Sequence, residues 1–139
     1  MGLAAPSSAI GAEVLPGPIT ATLTRVIDGD TVEVRARIWL GQFVEVAVRL
    51  AGVDAPELRA RCAQERIQAE AAAAHLQPLE GSEIALTNVM SDKFGGRVRA
   101  EVHHREMGAL GASLIDAGLA RPYNGDQRRG WCSELAVRE

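Results

Sequence analysis

Apolar and polar residues alternate along three successive stretches in the first half of the chain. Ile19 to Ile27 is rich in Thr and Leu and reads as a strand. It runs into Asp28-Gly29-Asp30, a strong signal for a turn between two strands. Thr31 to Ile38 resumes the pattern, with Val32 and Val34 alternating with charged Glu33 and Arg35, until Gly41 breaks it. Val44, Val46, Val48 and Leu50 then fall on one face, with Glu45, Ala47 and Arg49 on the other. The periodicity predicts a meander of three antiparallel strands with short connections.

After Pro56 the pattern changes. Ala63 to Leu76 is dense in Ala, Glu, Gln and Arg, all strong helix formers, and Ile67, Ala71 and Ala74 mark its expected apolar face. Gly81 resets the chain, and Glu83 to Val89 reads as a strand. A polar loop from Ser91 to Gly96 leads to a fifth strand, from Arg97 to about His104. Leu110, Leu114 and Ile115 predict a short amphipathic helix closed by Gly118, and the tail from Tyr123 is polar. Three strands, a helix, two strands and a further helix predict a mainly β fold. The expected architecture is a five-stranded barrel of the oligonucleotide-binding (OB) type, flanked by two or three α-helices. It occupies residues 19–139, behind a leader over 1–18 that is rich in Ala, Gly, Ser and Pro and reads as flexible.

The length of 139 residues suits one domain, and 47% hydrophobic with 24% charged residues is ordinary globular composition. The net charge of -3 excludes a protein that holds nucleic acid by a broadly cationic surface. Any such binding must come from local arginines and a bound cation. No apolar run reaches the length of a membrane span, so no membrane partner is expected. The leader has no Lys or Arg ahead of its apolar residues and makes a poor signal peptide, although a trimmed signal would leave such a remnant. Cys62 and Cys132 are two buried thiols or one disulfide; their polar surroundings favour the bridge, which implies an extracytoplasmic, secreted or periplasmic setting. Neither has a Cys or His partner at zinc spacing.

The candidate chemistry lies at strand ends. Asp28 and Asp30 flank a glycine in a tight turn, and Asp54 and Glu57 follow the third strand in Val53-Asp54-Ala55-Pro56-Glu57. Hard oxygen donors without Cys or His suit Ca²⁺ or Mg²⁺. Singly, each motif is an ordinary turn or solvated loop. An EF-hand is excluded, because Trp39 stands where its terminal bidentate Glu belongs.

Together the motifs say more. Val26-Ile27-Asp28-Gly29-Asp30-Thr31-Val32, Val48-Arg49-Leu50 with Val53-Asp54-Ala55-Pro56-Glu57, and Asp92-Lys93-Phe94-Gly95-Gly96-Arg97 closely resemble the thermonuclease (staphylococcal nuclease-like) family. Gly118 to Tyr123 is similar to that family's segment after its second helix, and the resemblance spans about Ile19 to Tyr123. It implies a nuclease that cuts DNA and RNA with little sequence preference and leaves 3′-phosphate ends. It also implies roles. Asp30 and Asp54 would ligate the metal directly, with the backbone carbonyl of Ala55, and Asp28 would act through a metal-bound water. Glu57 would be the general base or would position the attacking water. Arg49 and Arg97 would grip the scissile phosphate, and Lys93, Phe94 and Tyr123 would contact substrate. The implied cofactor is Ca²⁺, with Mg²⁺ or Mn²⁺ as substitutes, and the implied state a monomer.

Such chemistry is physically coherent. Attack on a phosphodiester adds charge to oxygens that are already anionic, so a cation and two forked guanidiniums belong there. Arg49, alternating with Val48 and Leu50, should leave the apolar face and reach a surface cleft.

The chain also departs from the family. Ala55 replaces a usual Thr, and Phe94 replaces a common Tyr while keeping a stacking surface. The extra glycine in Gly95-Gly96 shifts the register of Arg97, with Arg99 as the fallback. The segment after Glu57 is short and carries Arg59 and Arg61 in place of a longer Lys-rich loop. His103 and His104 read as exposed polar residues, His75 as support for a helix end, Trp131 as a packing anchor, and Arg128 and Arg129 as solvated. The competing functions are a non-catalytic nucleic-acid or protein-binding module and a calcium-binding structural domain. The complete set of acids and arginines separates the nuclease from both.

Overall fold

The structure, a computed structural model, describes residues 13–93, 95–124 and 130–132. Its strands are β1 (Val14–Leu15), β2 (Ile19–Asp28), β3 (Thr31–Trp39), β4 (Gln42–Leu50), β5 (Val53–Asp54), β6 (Glu83–Ser91), β7 (Arg97–His104), β8 (Gly108–Ala109) and β9 (Arg121–Pro122). Two α-helices, α1 (Ala63–Leu76) and α2 (Leu110–Asp116), and a 3-10 turn at Gln77–Leu79 complete it.

Five strands close on one another. β2 pairs antiparallel with β3 and β6, and β3 antiparallel with β4. β4 then pairs parallel with β7, and β7 returns antiparallel to β6, which seals a mixed barrel of the OB type. Closure removes the sheet edges among these five strands and turns one side chain in two inward. Leu23, Val32, Val34, Val48, Leu50, Leu86, Ala100 and Val102 fill the interior, with Leu76 of α1 and Leu110 and Leu114 of α2 packed against it. The alternation read for β3 and β4 is therefore the inside and outside of the barrel at Val32, Val34, Val48 and Leu50, whereas Val44, expected on the same apolar face, is 41% exposed towards the hairpin tip.

Three features differ from expectation. The buried face of α1 is Ala69, Ala72, Ala73 and Leu76, whereas Ile67 is 66% exposed and Ala71 and Ala74 face solvent. The reason is steric: α1 lies so close to the Asp28–Asp30 turn that a Cβ on Gly29 would sit 2.6 Å from Ala72 Cβ and 3.0 Å from Ala55 Cβ. Only small residues fit such an approach, so the alanines turn inward and the isoleucine outward. The described part of the expected leader contains β1, whose Val14 and Leu15 pair with Met90 and Val89; residues 1–12 lie outside the described residues. His103 and His104 are half-buried and bonded: His103 Nε2 meets Thr87 Oγ1 at 3.0 Å, and His104 Nδ1 accepts from the amides of Glu106 and Met107.

His75 Nε2 meets Ser113 Oγ at 2.8 Å, joining the end of α1 to α2. Cys62 and Cys132 form a disulfide across 70 residues, with Cα atoms 6.2 Å apart. Among the described residues, no helix is long and apolar enough to cross a membrane.

Candidate active site

One open cleft of about 730 Å³ lies where the β2–β3 turn, the end of β4, the loop after β5 and the start of β7 meet. Among the described residues its walls carry four acids, Asp28, Asp30, Glu57 and Asp92, and four cations, Arg49, Lys93, Arg97 and Arg99, with Tyr123 beside them. A chain of net charge -3 thus matches the acids of this cleft with an equal number of positive side chains. Phe94 lies outside the described residues, as do Arg128 and Arg129.

The turn between β2 and β3 presents Asp28 and Asp30 two residues apart, as its brevity requires. Its glycine serves space rather than backbone freedom, because α1 and Ala55 press against it. Asp30 is almost fully buried and richly bonded. Its Oδ1 accepts from Thr31 Oγ1 at 3.0 Å, and its Oδ2 accepts from Arg49 Nη1 at 2.7 Å and from the Ala55 amide at 3.2 Å. Asp28 is half-buried, and its Oδ1 accepts from the Leu58 amide at 2.9 Å. Burial pushes the Asp28 carboxyl above the usual carboxylate range; the Leu58 N–H opposes this, Asp30 and Glu57 add to it, and Arg97 draws it down.

Arg49 stands opposite Thr31 in the β3–β4 ladder, on the outward face. Its Nη1 binds Asp30 and its Nη2 donates to Val53 O at 3.3 Å, so two of its five N–H donors are engaged. Its Cζ lies 5.9 Å from the Tyr123 ring centroid, and the Tyr123 amide N–H donates to Gly52 O at 2.8 Å. Arg97 opens β7 opposite Ala47, and its Nε pairs with Asp92 Oδ2 across the loop. Arg99 also lines the cleft, with Nη2 3.0 Å from Met90 Sδ. Both candidate arginines reach the same space, because they are two residues apart on one strand.

Glu57 lines the cleft from the loop between β5 and α1. That loop is pinned at Leu58 by Asp28, and at its end by Glu65, whose Oε1 accepts from the Arg61 amide at 2.9 Å and whose Oε2 lies 3.5 Å from the Glu57 amide. Glu65 is buried, and its own amide donates to Cys62 Sγ at 3.3 Å, which caps α1. Glu65 is a functional neighbour that the sequence motifs do not single out. Its signal was present: Cys62-x-x-Glu65 has the spacing of a capping box, with a sulfur in place of the hydroxyl.

Asp54 and Ala55 do not line this cleft among the described residues; both are buried, and the Ala55 amide joins them to Asp30. Asp54 stands opposite Arg121 in the β5–β9 pair, and its Oδ2 accepts from Trp131 Nε1 at 3.2 Å. That contact was not foreseen, because nothing local in the sequence links positions so far apart. Among the described residues no three His, Cys, Asp or Glu side chains converge closely enough to hold an ion by themselves. The donor chemistry still fits a hard divalent cation: Asp28, Asp30 and Asp54 and the nearby Ala55 carbonyl are all oxygen donors, and no thiol or imidazole competes.

The chain matches no family model, and a comparison with curated proteins finds no match.

Proposed function

We propose that the protein is a metal-dependent nuclease of the thermonuclease type, hydrolysing phosphodiester bonds of DNA or RNA with little sequence preference. One observation carries the reading: Arg49, Arg97, Glu57, Asp28 and Asp30, drawn from four separate segments, line a single open cleft on an OB-type barrel. Structural acids and arginines have no need to converge in this way. The motif resemblance supports the same assignment.

In this reading Asp30, Asp54 and the Ala55 carbonyl hold the cation, with Asp28 acting through water. When bound, the ion polarises a phosphoryl oxygen and neutralises developing charge. The rest falls to the chain's own side chains. Arg49, anchored by Asp30 and Val53, has three donors left to present to a phosphate without leaving its anchor. Arg97 approaches the same phosphate from β7 and stabilises the added charge. Glu57, steadied by the Asp28–Leu58 and Glu65–Arg61 bonds, accepts the proton of the attacking water or orients it. Lys93 and Tyr123 extend the contact with substrate. A leaving group at the 5′ side gives 3′-phosphate ends. The disulfide suits an oxidising compartment, where a nuclease of low specificity is kept from the cell's own genome.

A non-catalytic nucleic-acid-binding module is the second reading. It is favoured by the ion pairs of Arg49 with Asp30 and of Arg97 with Asp92, which resemble structural pairs. Degradation of plasmid DNA and of RNA with Ca²⁺, with Mg²⁺ and with excess chelator separates the two. The expected result is cleavage with Ca²⁺, abolished by chelator; full cleavage in chelator, or binding without cleavage, overturns the reading. Glu57→Ala and Arg97→Ala should each lower turnover by at least about a hundredfold, the scale for losing a base or a charge stabiliser. A near-normal Arg97→Ala beside an inactive Arg99→Ala would transfer the role to Arg99.

A further inference from the structure

Behind the cleft, the C-terminal segment reaches back to Asp54. Trp131 Nε1 donates to Asp54 Oδ2 at 3.2 Å. The Trp131 ring lies under Arg121, whose Cζ is 3.6 Å from a ring centroid and whose Nη1 donates to Gly130 O at 3.2 Å. Arg121 belongs to β9, the strand that pairs with Asp54 itself. The residue after Trp131 is Cys132, joined to Cys62 at the start of α1. Trp131 is thereby held from two directions, by β9 and by α1, and both elements adjoin the site.

Packing alone does not explain this arrangement. A space-filling aromatic has no need to aim its single N–H at a buried carboxylate. An indole is a donor only, so it cannot compete with Asp54 as a ligand. A carboxylate accepts at both oxygens, so a donor fixed on Oδ2 sets the orientation of the group while leaving it able to bind a cation. Asp54 is also nearly fully buried, where a charge depends on the donors that surround it.

We propose that Trp131 is a positioning residue for the Asp54 carboxylate, delivered to it by the Cys62–Cys132 bond. The proposal rests on the assignment of Asp54 to the cation site. The tail is then part of the site's framework, and the disulfide contributes to cation affinity as well as to stability. Loss of a hydrogen bond that orients a metal-binding carboxylate typically weakens the metal by about tenfold to a hundredfold.

The test is Ca²⁺ binding to the full chain by calorimetry, for the wild type, Trp131→Phe, Cys62→Ser/Cys132→Ser and the combination of all three substitutions. Cys62→Ser leaves a side-chain oxygen to cap α1, so the helix start is preserved. A second readout is the fluorescence of Trp131 in a Trp39→Phe background, Trp39 being the other of the two tryptophans and 72% exposed on the far hairpin tip. The Trp131 emission is expected to change on Ca²⁺ addition with the calorimetric midpoint, which a purely structural tryptophan would not do. Trp131→Phe and the Cys pair should each weaken Ca²⁺ by about tenfold or more, and the combination should lose no more than the worse of the two. Unchanged affinity in Trp131→Phe, with a silent Trp131 signal, overturns the proposal alone. Losses that add overturn the role of the disulfide in delivering Trp131. No Ca²⁺ binding by the wild type overturns the cation assignment and the proposal with it. Should the Cys variant not fold, Trp131→Phe with its bridge intact and the fluorescence decide the matter.

Discussion

β3 and β4 run side by side from Thr31 opposite Arg49 to Trp39 opposite Gln42, and the two ends of this hairpin are surrounded quite differently. At the first end the outward face is covered by the β2–β3 turn, by β5 and by the segment after β9 that carries Tyr123. There Arg49 is only 14% exposed and its partner Asp30 only 5%. Towards the other end the same face stands in water: Phe43 is 45% exposed with Arg35 over its ring at 4.1 Å, and beyond a bulge the tip residues Trp39 and Leu40 are 72% and 76% exposed. From Thr31 to Arg37 the alternation is unbroken, and it places both Arg49 and Arg35 on the outward face. The difference shows that strand pattern decides inside from outside, whereas the cover supplied by distant segments decides whether an outward charge becomes a site. Low solvent access strengthens the Arg49–Asp30 attraction, and solvent weakens anything Arg35 could do.

The comparison can be broken most severely at Arg49. Arg49→Ala leaves Asp30 buried without its counter-charge and should cost about 3–5 kcal/mol of stability, with activity lost as well. Arg35→Ala, on the same face at the open end, should stay within about 0.5 kcal/mol. Urea unfolding of the two variants measures both, and equal losses would show that burial does not distinguish the ends. Gly29→Ala probes the cover itself. Its new methyl group meets Ala72 and Ala55, so it should cost about 1–3 kcal/mol by overpacking and loosen α1 from the turn. Thermal unfolding monitored by circular dichroism reads the loss, and a neutral result would mean that α1 yields freely there. The smallest effect is expected at the tip. Leu40→Ser should change stability by less than about 0.5 kcal/mol and leave the proposed nuclease activity intact, because it removes an exposed side chain far along the hairpin. A loss of cleavage in that variant would extend the site along the whole face.

Much of this was legible in the chain. The limits of α1 at Ala63 and Leu76 and of β7 at Arg97 and His104 coincide with the reading, because helix-forming composition and strand alternation are local properties. The face of α1 was not legible: alanines sit on all sides of it, and the choice among them was made by Gly29, far away in sequence. In the site, the acids and arginines stood out as motifs at strand ends. Their bonding did not, since Arg49 to Asp30, Arg97 to Asp92 and Trp131 to Asp54 depend on how the barrel closes. The sequence by itself determined the five barrel strands and the two α-helices, which side chains of those strands point inward, and which residues are chemically able to bind a cation and a phosphate. The tertiary structure alone decided that β4 lies parallel to β7, that Arg49 and Arg97 share one cleft, and that the tail returns to Asp54. The physical reason is one of range: propensity and periodicity act over a few residues, whereas closure and burial are set by contacts between segments that only folding brings together.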